Sequence, residues 1–171
     1  MTAAQVQAVW LKQALVRQGQ YGDFPAHARR LQADLVKILQ LARQRYPNLR
    51  LAYLSSRIYG GYATTPLNPE PYAYEGAFSA RWVIQAQVAG DRELNYDPKR
   101  GEVRAPLVLW GPYLWADGRS PRKPDGLTWE RSDLVERDGT HPSPAGREKV
   151  ARLLLDFLKK DPTSRPWFVR R

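Results

Sequence analysis

The residues best suited to chemistry in this sequence are Asp138 and His141, which stand three positions apart in Asp138-Gly139-Thr140-His141. An aspartate so placed can accept a hydrogen bond from the imidazole Nδ1, which leaves Nε2 free to take a proton from a nucleophile. The pair directly precedes Ser143-Pro144, a helix-start signal, in a turn of small residues. It indicates general acid/base chemistry, or alternatively two side chains that satisfy backbone groups near a helix start.

Composition excludes several classes of site. The 171 residues contain no cysteine and only two histidines, so disulfide frameworks, zinc–cysteine sites, iron–sulfur clusters and thiol nucleophiles are ruled out. A site with several histidine ligands is ruled out as well. We therefore expect chemistry that needs neither a metal nor an organic cofactor.

The net charge of +10 suggests nucleic-acid binding, but the distribution of the charged residues along the chain does not favour this interpretation. Residues 1–48 and 119–171 each sum to +5, whereas residues 49–118 sum to zero. No run of five or six like charges occurs, and most basic residues have acidic or apolar neighbours. A solvated surface is the simpler interpretation, so no nucleic-acid partner is expected.

Targeting and membrane signals are also lacking in the printed sequence. Its apolar runs are far shorter than the ~20 residues of a membrane span. Residues 1–5 show no basic region followed by an apolar stretch, so we expect no signal peptide and no membrane partner, and the compartment stays unassigned.

Strands and helices alternate along the chain. Short apolar runs typical of buried strands occupy residues 6–11, 49–54 and 106–110. Amphipathic stretches at about 26–46, at about 74–90 and after Ser143 predict three helices. This alternation predicts an α/β domain with a parallel sheet. Two proline-rich connections, 62–72 and 119–126, are long enough to suggest a functional or mobile role.

A ligand site is expected at the carboxyl ends of the strands, where open parallel sheets bind ligands. The segments after the second and third runs, 55–62 and 111–115, are rich in glycine, aromatic rings and hydrogen-bonding groups. A binding role and a role as well-ordered turns both fit this composition. The candidate substrate-binding residues there are Ser55, Arg57, Tyr59, Tyr113 and Trp115.

The Asp-x-x-His pair before a final amphipathic helix, in an alternating α/β chain, resembles the SGNH (GDSL-type) hydrolases. The likeness runs from Gln5 to about Phe168, and the segments 9–14, 53–62 and 138–143 look like those of an uncharacterised bacterial branch. The resemblance implies a flavodoxin-like, three-layer αβα fold. It also implies a serine ester hydrolase in which Asp138 orients the general base His141, and in which Gln13 stands near the position of the oxyanion-binding asparagine.

The chain departs from the family at the nucleophile. Gly-Asp occurs at Gly22-Asp23 and Gly90-Asp91, but no serine follows either pair, and no Gly-x-Ser-x-Gly elbow exists. Ser55 or Ser56, at a strand end, is the nearest alternative candidate for the nucleophile. We therefore expect residues 1–171 to form a single domain truncated at its N-terminus, with about three strands and without the nucleophile strand. Such a sheet would expose an edge prone to self-association.

Two functions remain open at this point. In the first, the chain is the acid/base-bearing portion of a carboxylesterase or O-acetylesterase, inactive alone, that acts on a small-molecule or carbohydrate ester. The aromatic loops suit stacking on sugar rings as well as plain packing. In the second, the chain is a non-catalytic basic binding module or a pseudoenzyme scaffold.

Overall fold

The computed structural model describes residues 2–169; Met1, Arg170 and Arg171, the last two part of the basic C-terminal end, lie outside the described residues. Its three strands are β1 (Ala8–Leu11), β2 (Leu51–Leu54) and β3 (Leu107–Trp110). The α-helices are α1 (Ala26–Arg45), α2 (Tyr72–Val88), α3 (Pro144–Lys160) and the short α4 (Arg165–Phe168). Short 3-10 helices cover Ala3–Gln5, Gln18–Tyr21, Arg92–Leu94, Pro98–Arg100 and Arg131–Asp133.

The strands form a parallel sheet in the order β1-β2-β3. Leu11 pairs with Leu54 and Leu54 with Trp110, so the three strands end level with one another. The predicted α/β class and the parallel sheet are confirmed. β1 is an outer strand, and within residues 2–169 no strand pairs with its second edge.

One face of the sheet packs against α1 and α2. Because side chains alternate along a strand, Ala52 and Leu54 point to this face together with Val108. From α1 the predicted apolar stripe supplies Leu31, Leu35 and Leu39 to the shared core. From α2 the core receives Ala80 and Val83. Tyr74 and Val88, which marked this helix in the sequence, are exposed. This core joins the two helices to β2 and β3.

The opposite face is covered by α3 and α4. Tyr53 of β2 lies with its ring centroid 5.2 Å from that of Phe157 and 6.4 Å from that of Trp167. The apolar residues of α3 are only half-buried or exposed, and Gly146 is the one buried residue of the helix. Helices thus flank both faces of a three-stranded sheet, and the α3 layer covers its face less completely.

The helix-start signal at Ser143-Pro144 is confirmed. The Ser143 Oγ accepts a hydrogen bond from the Gly146 N–H at 3.3 Å, and Pro144 occupies the first turn, where its missing N–H costs nothing. Among the described helices, none is long and apolar enough to span a membrane.

Candidate active site

Asp138 and His141 form a hydrogen-bonded pair in the turn that leads into α3. The His141 Nδ1 lies 2.8 Å from the Asp138 Oδ2. The other carboxylate oxygen, Oδ1, accepts the backbone N–H groups of Thr140 at 2.8 Å and His141 at 3.0 Å. The carboxylate is therefore held from three directions, and the imidazole is oriented with Nε2 on the opposite side of the ring.

The turn depends on a glycine at its second position. Gly139 has φ +59°, and a Cβ there would overlap the Tyr62 carbonyl oxygen. The same loop is held by the Thr64 N–H, which donates to the Asp138 carbonyl at 3.0 Å. The position of Asp138 thus depends on the distant 62–72 connection as well as on its own turn.

The turn that carries Asp138 and His141 is hydrogen-bonded to residues 133–135, which Lys149 of α3 contacts in turn. The Ser143 N–H donates to the Asp133 carbonyl at 2.8 Å, and the Val135 N–H donates to the His141 carbonyl at 2.8 Å. Lys149 of α3 pairs with the Asp133 carboxylate and donates to the Thr128 carbonyl at 3.0 Å. The acid/base pair is consequently connected to α3 through residues 133–135.

The pKa of Asp138 is the most strongly perturbed property of the site. Burial acts to raise this pKa, but the His141 backbone N–H, the His141 ring and the Thr140 N–H together outweigh it and hold the pKa well below its usual range. Asp138 is therefore ionised throughout the physiological pH range. It can stabilise a proton on the imidazole ring.

His141 faces an open depression of about 420 Å³. Its side chain is 56% exposed, whereas that of Asp138 is 8% exposed. We call this space the His141 depression; the other residues that line it are Val16, Arg17, Thr65, Pro66, Leu67 and Arg137. Nε2 makes no hydrogen bond to any residue in the range 2–169, so it is available to a group that enters.

The serines nearest to a strand end already have partners. The Ser55 Oγ accepts from the Trp10 Nε1 at 2.8 Å and donates to the Pro112 carbonyl at 2.7 Å. The Ser56 Oγ accepts from the backbone N–H groups of Leu114 at 2.9 Å and Trp115 at 3.2 Å. Both serines are buried, and they connect β2 to the segment that follows β3.

Lys12 and Arg57 follow β1 and β2 at the carboxyl edge of the sheet. Burial, and secondarily the charge of Arg57, lowers the pKa of Lys12 to about 8. Burial also lowers the pKa of Arg57, whose Nε donates to the Asn68 Oδ1 at 2.9 Å. No carboxylate within residues 2–169 lies within 4 Å of either cation, and Gln13 is exposed beside Lys12.

Two of the predicted aromatic residues, Tyr59 and Trp115, belong to one cluster, and Tyr113 lies elsewhere. Tyr59 packs at 6.4 Å and Tyr74 at 4.8 Å from the Trp115 ring, centroid to centroid. Glu70 organises the cluster, since it accepts from the Trp115 Nε1 at 2.8 Å. Tyr113 lines a shallow groove of about 200 Å³ with residues of α2 and with Trp110.

The sequence-predicted site residues differ in whether they line the His141 depression. Asp138 and His141 come together, whereas Gln13, Ser55, Arg57, Tyr59, Tyr113 and Trp115 are not among the residues that line the His141 depression. Sequence reasoning did not select Arg17, Arg137 or Thr65. The unusual length of the 62–72 connection was a signal for Thr65, whereas nothing in the local sequence indicated Arg17 or Arg137.

The other histidine has a different setting. His27 is buried in α1, with its Nε2 2.8 Å from the Glu75 Oε2. Within residues 2–169, no group of three or more histidine, cysteine or acidic side chains is placed to hold a metal ion.

Comparisons of the chain with protein-family models, with curated proteins and with solved structures found no match.

Proposed function

We propose that this chain is the acid/base-bearing part of an SGNH-type ester hydrolase, with His141 as general base and Asp138 as the residue that orients it. The observation that carries the proposal is the 2.8 Å contact between the His141 Nδ1 and the Asp138 Oδ2. It engages Nδ1 and leaves Nε2 without a hydrogen bond in the described residues, and His141 lines the open depression. The parallel sheet and the helix that starts directly after the pair support the same interpretation.

The chemistry follows from this arrangement. A hydroxyl group that hydrogen-bonds to Nε2 loses its proton to His141 while its oxygen attacks the ester carbonyl carbon. The carbonyl π electrons move to the oxygen, giving a tetrahedral oxyanion beside an imidazolium that Asp138 stabilises. Collapse of the intermediate breaks the bond to the leaving alkoxide, which takes the proton from His141. Water completes a second, equivalent cycle on the acyl group.

The nucleophilic hydroxyl is proposed to come from a segment that is not in the printed sequence. Ser55 and Ser56 are buried and hydrogen-bonded, and Thr65 carries the one hydroxyl among the residues that line the His141 depression. The open edge of β1 could accept a further parallel strand, whose carboxyl end would lie at the same edge of the sheet. A coding sequence upstream of Met1 that contains Gly-Asp-Ser would support this assignment.

An external alcohol can replace the nucleophilic hydroxyl and so test His141 as general base in the chain of 171 residues. p-Nitrophenyl acetate is supplied with increasing methanol, at concentrations that leave the circular dichroism spectrum unchanged, and release of p-nitrophenolate and formation of methyl acetate are measured. We expect a protein-dependent rate that rises with methanol. His141→Ala should lower the methanol-dependent part by about tenfold or more, since general-base catalysis contributes ~10²–10⁴ in a well-formed site.

Two variants serve as controls. His27→Gln removes the other imidazole at a buried position, and it should leave the methanol dependence unchanged. Thr65→Val removes the hydroxyl in the depression, and it separates methanol as the nucleophile from a hydroxyl of the chain. A rate that ignores methanol, or one that survives His141→Ala, would refute the general-base role.

A further inference from the structure

We propose that the His141 depression binds a carboxylate of its substrate, so that the ester hydrolysed at this site carries a negative charge elsewhere in the molecule. This inference rests on the proposed function and names its substrate class. It depends on two arginines, Arg17 and Arg137, that line the depression beside the acid/base pair.

The two arginines together carry more charge than the one carboxylate beside them. Within residues 2–169, no acidic oxygen lies within 4 Å of the Arg17 guanidinium. The Arg137 Nη2 lies 3.9 Å from the Asp138 Oδ2, the oxygen that already holds the His141 ring. With His141 neutral, the two arginines and Asp138 leave one positive charge at the depression, which matches a monoanionic group.

Arg17 is held in place by its backbone. It is the one non-glycine residue with positive φ among the described residues, at +54°. Its N–H donates to the Leu67 carbonyl at 3.3 Å, and its own carbonyl accepts from the Gln20 N–H at 3.1 Å. The β1–α1 connection is thereby joined to the 62–72 connection across the depression, and the Arg17 side chain is presented at its wall.

The remaining lining residues suit the apolar part of an ester. Val16 is 57% exposed, and Pro66 and Leu67 line the same depression. An alkyl or acyl chain can cover these side chains while its carboxylate pairs with an arginine. The surface thus offers one cationic and one apolar contact beside the Nε2 of His141.

The wider edge of the sheet adds to the positive potential. Lys12 and Arg57 follow β1 and β2, and both lack a carboxylate partner in the described part of the chain. Residues 12–22 contain two cations and no acidic residue. Lys12 and Arg57 therefore favour an anionic substrate over a cationic one on the β1 and β2 side of this edge, and the Glu70 carboxylate lies against Trp115.

Two methyl esters of the same carbon skeleton test the inference. Monomethyl succinate carries one carboxylate, and dimethyl succinate carries none. Amide shifts of the ¹⁵N-labelled chain are followed by NMR as each ester is added at constant ionic strength. With monomethyl succinate we expect saturable shifts at residues 16–17, 65, 67 and 137–141. The diester should bind with at least threefold lower affinity, because it lacks the free energy of one exposed ion pair.

Matched variants assign the effect to the two arginines. Arg17→Gln and Arg137→Gln should each weaken binding of monomethyl succinate by about two- to fivefold, the range typical of exposed ion pairs. Arg17→Lys should retain most of the affinity, because it keeps the charge. Arg45→Gln removes a charge from the end of α1, away from the depression, and should change nothing.

The possible results separate this inference from the proposed function. Equal affinity for both esters, absence of saturable shifts, or an equal loss in Arg45→Gln would refute the carboxylate site. His141→Ala should still bind monomethyl succinate. If binding holds but methanol-dependent catalysis is absent, the proposed function fails and the carboxylate site stands; the reverse pattern refutes only the carboxylate site.

Discussion

Replacing Asp138 by asparagine should reverse the tautomer of His141. A neutral imidazole carries its proton on only one nitrogen, and the other accepts. The Asp138 Oδ2 is an acceptor 2.8 Å from Nδ1, so it holds the proton on Nδ1 and leaves Nε2 basic. An asparagine whose Oδ1 still accepts the two backbone N–H groups must present its NH₂ to Nδ1, which moves the ring proton to Nε2.

The size of the preference follows from the contact. A hydrogen bond to an ionised carboxylate contributes about 1.5–3 kcal/mol, and the Asp138 side chain is only 8% exposed, so water screens it little. That free energy corresponds to a tautomer ratio of about 10 to 100 in favour of Nδ1–H. The fold should survive the substitution, because the asparagine side chain keeps the acceptor for the Thr140 and His141 N–H groups, with a loss of about 1–2 kcal/mol.

The tautomer can be read directly without any catalytic assay. Two-bond ¹⁵N–¹H correlations of the His141 ring, recorded at a pH where the ring is neutral, identify the nitrogen that carries the proton. We expect Nδ1–H in the parent chain and Nε2–H in Asp138→Asn. Asp138→Ala is the matched variant: it removes the contact to the His141 ring and the acceptor for the two backbone N–H groups, and it should lower the free energy of unfolding by about 2–4 kcal/mol.

Two results would refute the reasoning. The first is a parent chain whose His141 is predominantly Nε2–H, since the carboxylate would then not orient the base. The second is an Asp138→Asn variant with unchanged correlations and an unchanged methanol-dependent rate. Wrong-tautomer variants of such pairs lose about 10⁴ in rate in the serine-protease example, so a retained rate would exclude a role for Asp138.

Three further predictions concern stability. The folded-state pKa of Asp138 lies below its unfolded value of about 3.9. The stability that the ionised Asp138 contributes is therefore present above about pH 4 and is lost as the pH falls through the folded-state pKa. Acid denaturation of Asp138→Asn should accordingly be less steep than that of the parent. Lys12→Met should raise the free energy of unfolding at pH 7 by about 1–3 kcal/mol, since burial lowers the Lys12 pKa to about 8. This gain should shrink as the pH rises from 8 towards 10.5, because Lys12 of the folded chain loses its proton in that range while Lys12 of the unfolded chain keeps it. Lys37→Met, on the exposed side of α1, should show no such gain. Ser55→Ala should cost about 2–3 kcal/mol in urea denaturation, because it leaves the Trp10 Nε1 and the Pro112 carbonyl without a buried partner; a loss under about 0.5 kcal/mol would contradict the bridging role of Ser55.

Much of the fold was predictable because it depends on local pattern. The three apolar runs became β1, β2 and β3 within two residues at each end, and the amphipathic stretch at 26–46 became α1. The order of the strands was not readable, because it depends on which helices cover which face of the sheet. In the described residues β1 is an outer strand with no partner on its second edge, as predicted, while self-association through that edge stays a prediction.

The candidate site shows the same division. Asp138 and His141 are three residues apart in one turn, so their contact could be predicted from spacing alone. The hydrogen bonds of Ser55 to Trp10 and Pro112 span 45 and 57 residues, and nothing in the local sequence indicates them. Ser55, a candidate binding residue in the sequence, is thus a buried residue that hydrogen-bonds β1 to the segment after β3.

By itself, the sequence determined the parallel α/β elements and the local geometry of the acid/base pair, because both arise from interactions within a few residues. Only the tertiary structure decided what surrounds His141. It brought Arg17 and the 62–72 connection to one side of the imidazole and placed Tyr59, Tyr113 and Trp115 in other clusters. Arg17 lies 124 positions before His141 along the chain, and the 62–72 connection lies 69 to 79 positions before it. Their meeting therefore depends on how the whole chain packs against the sheet.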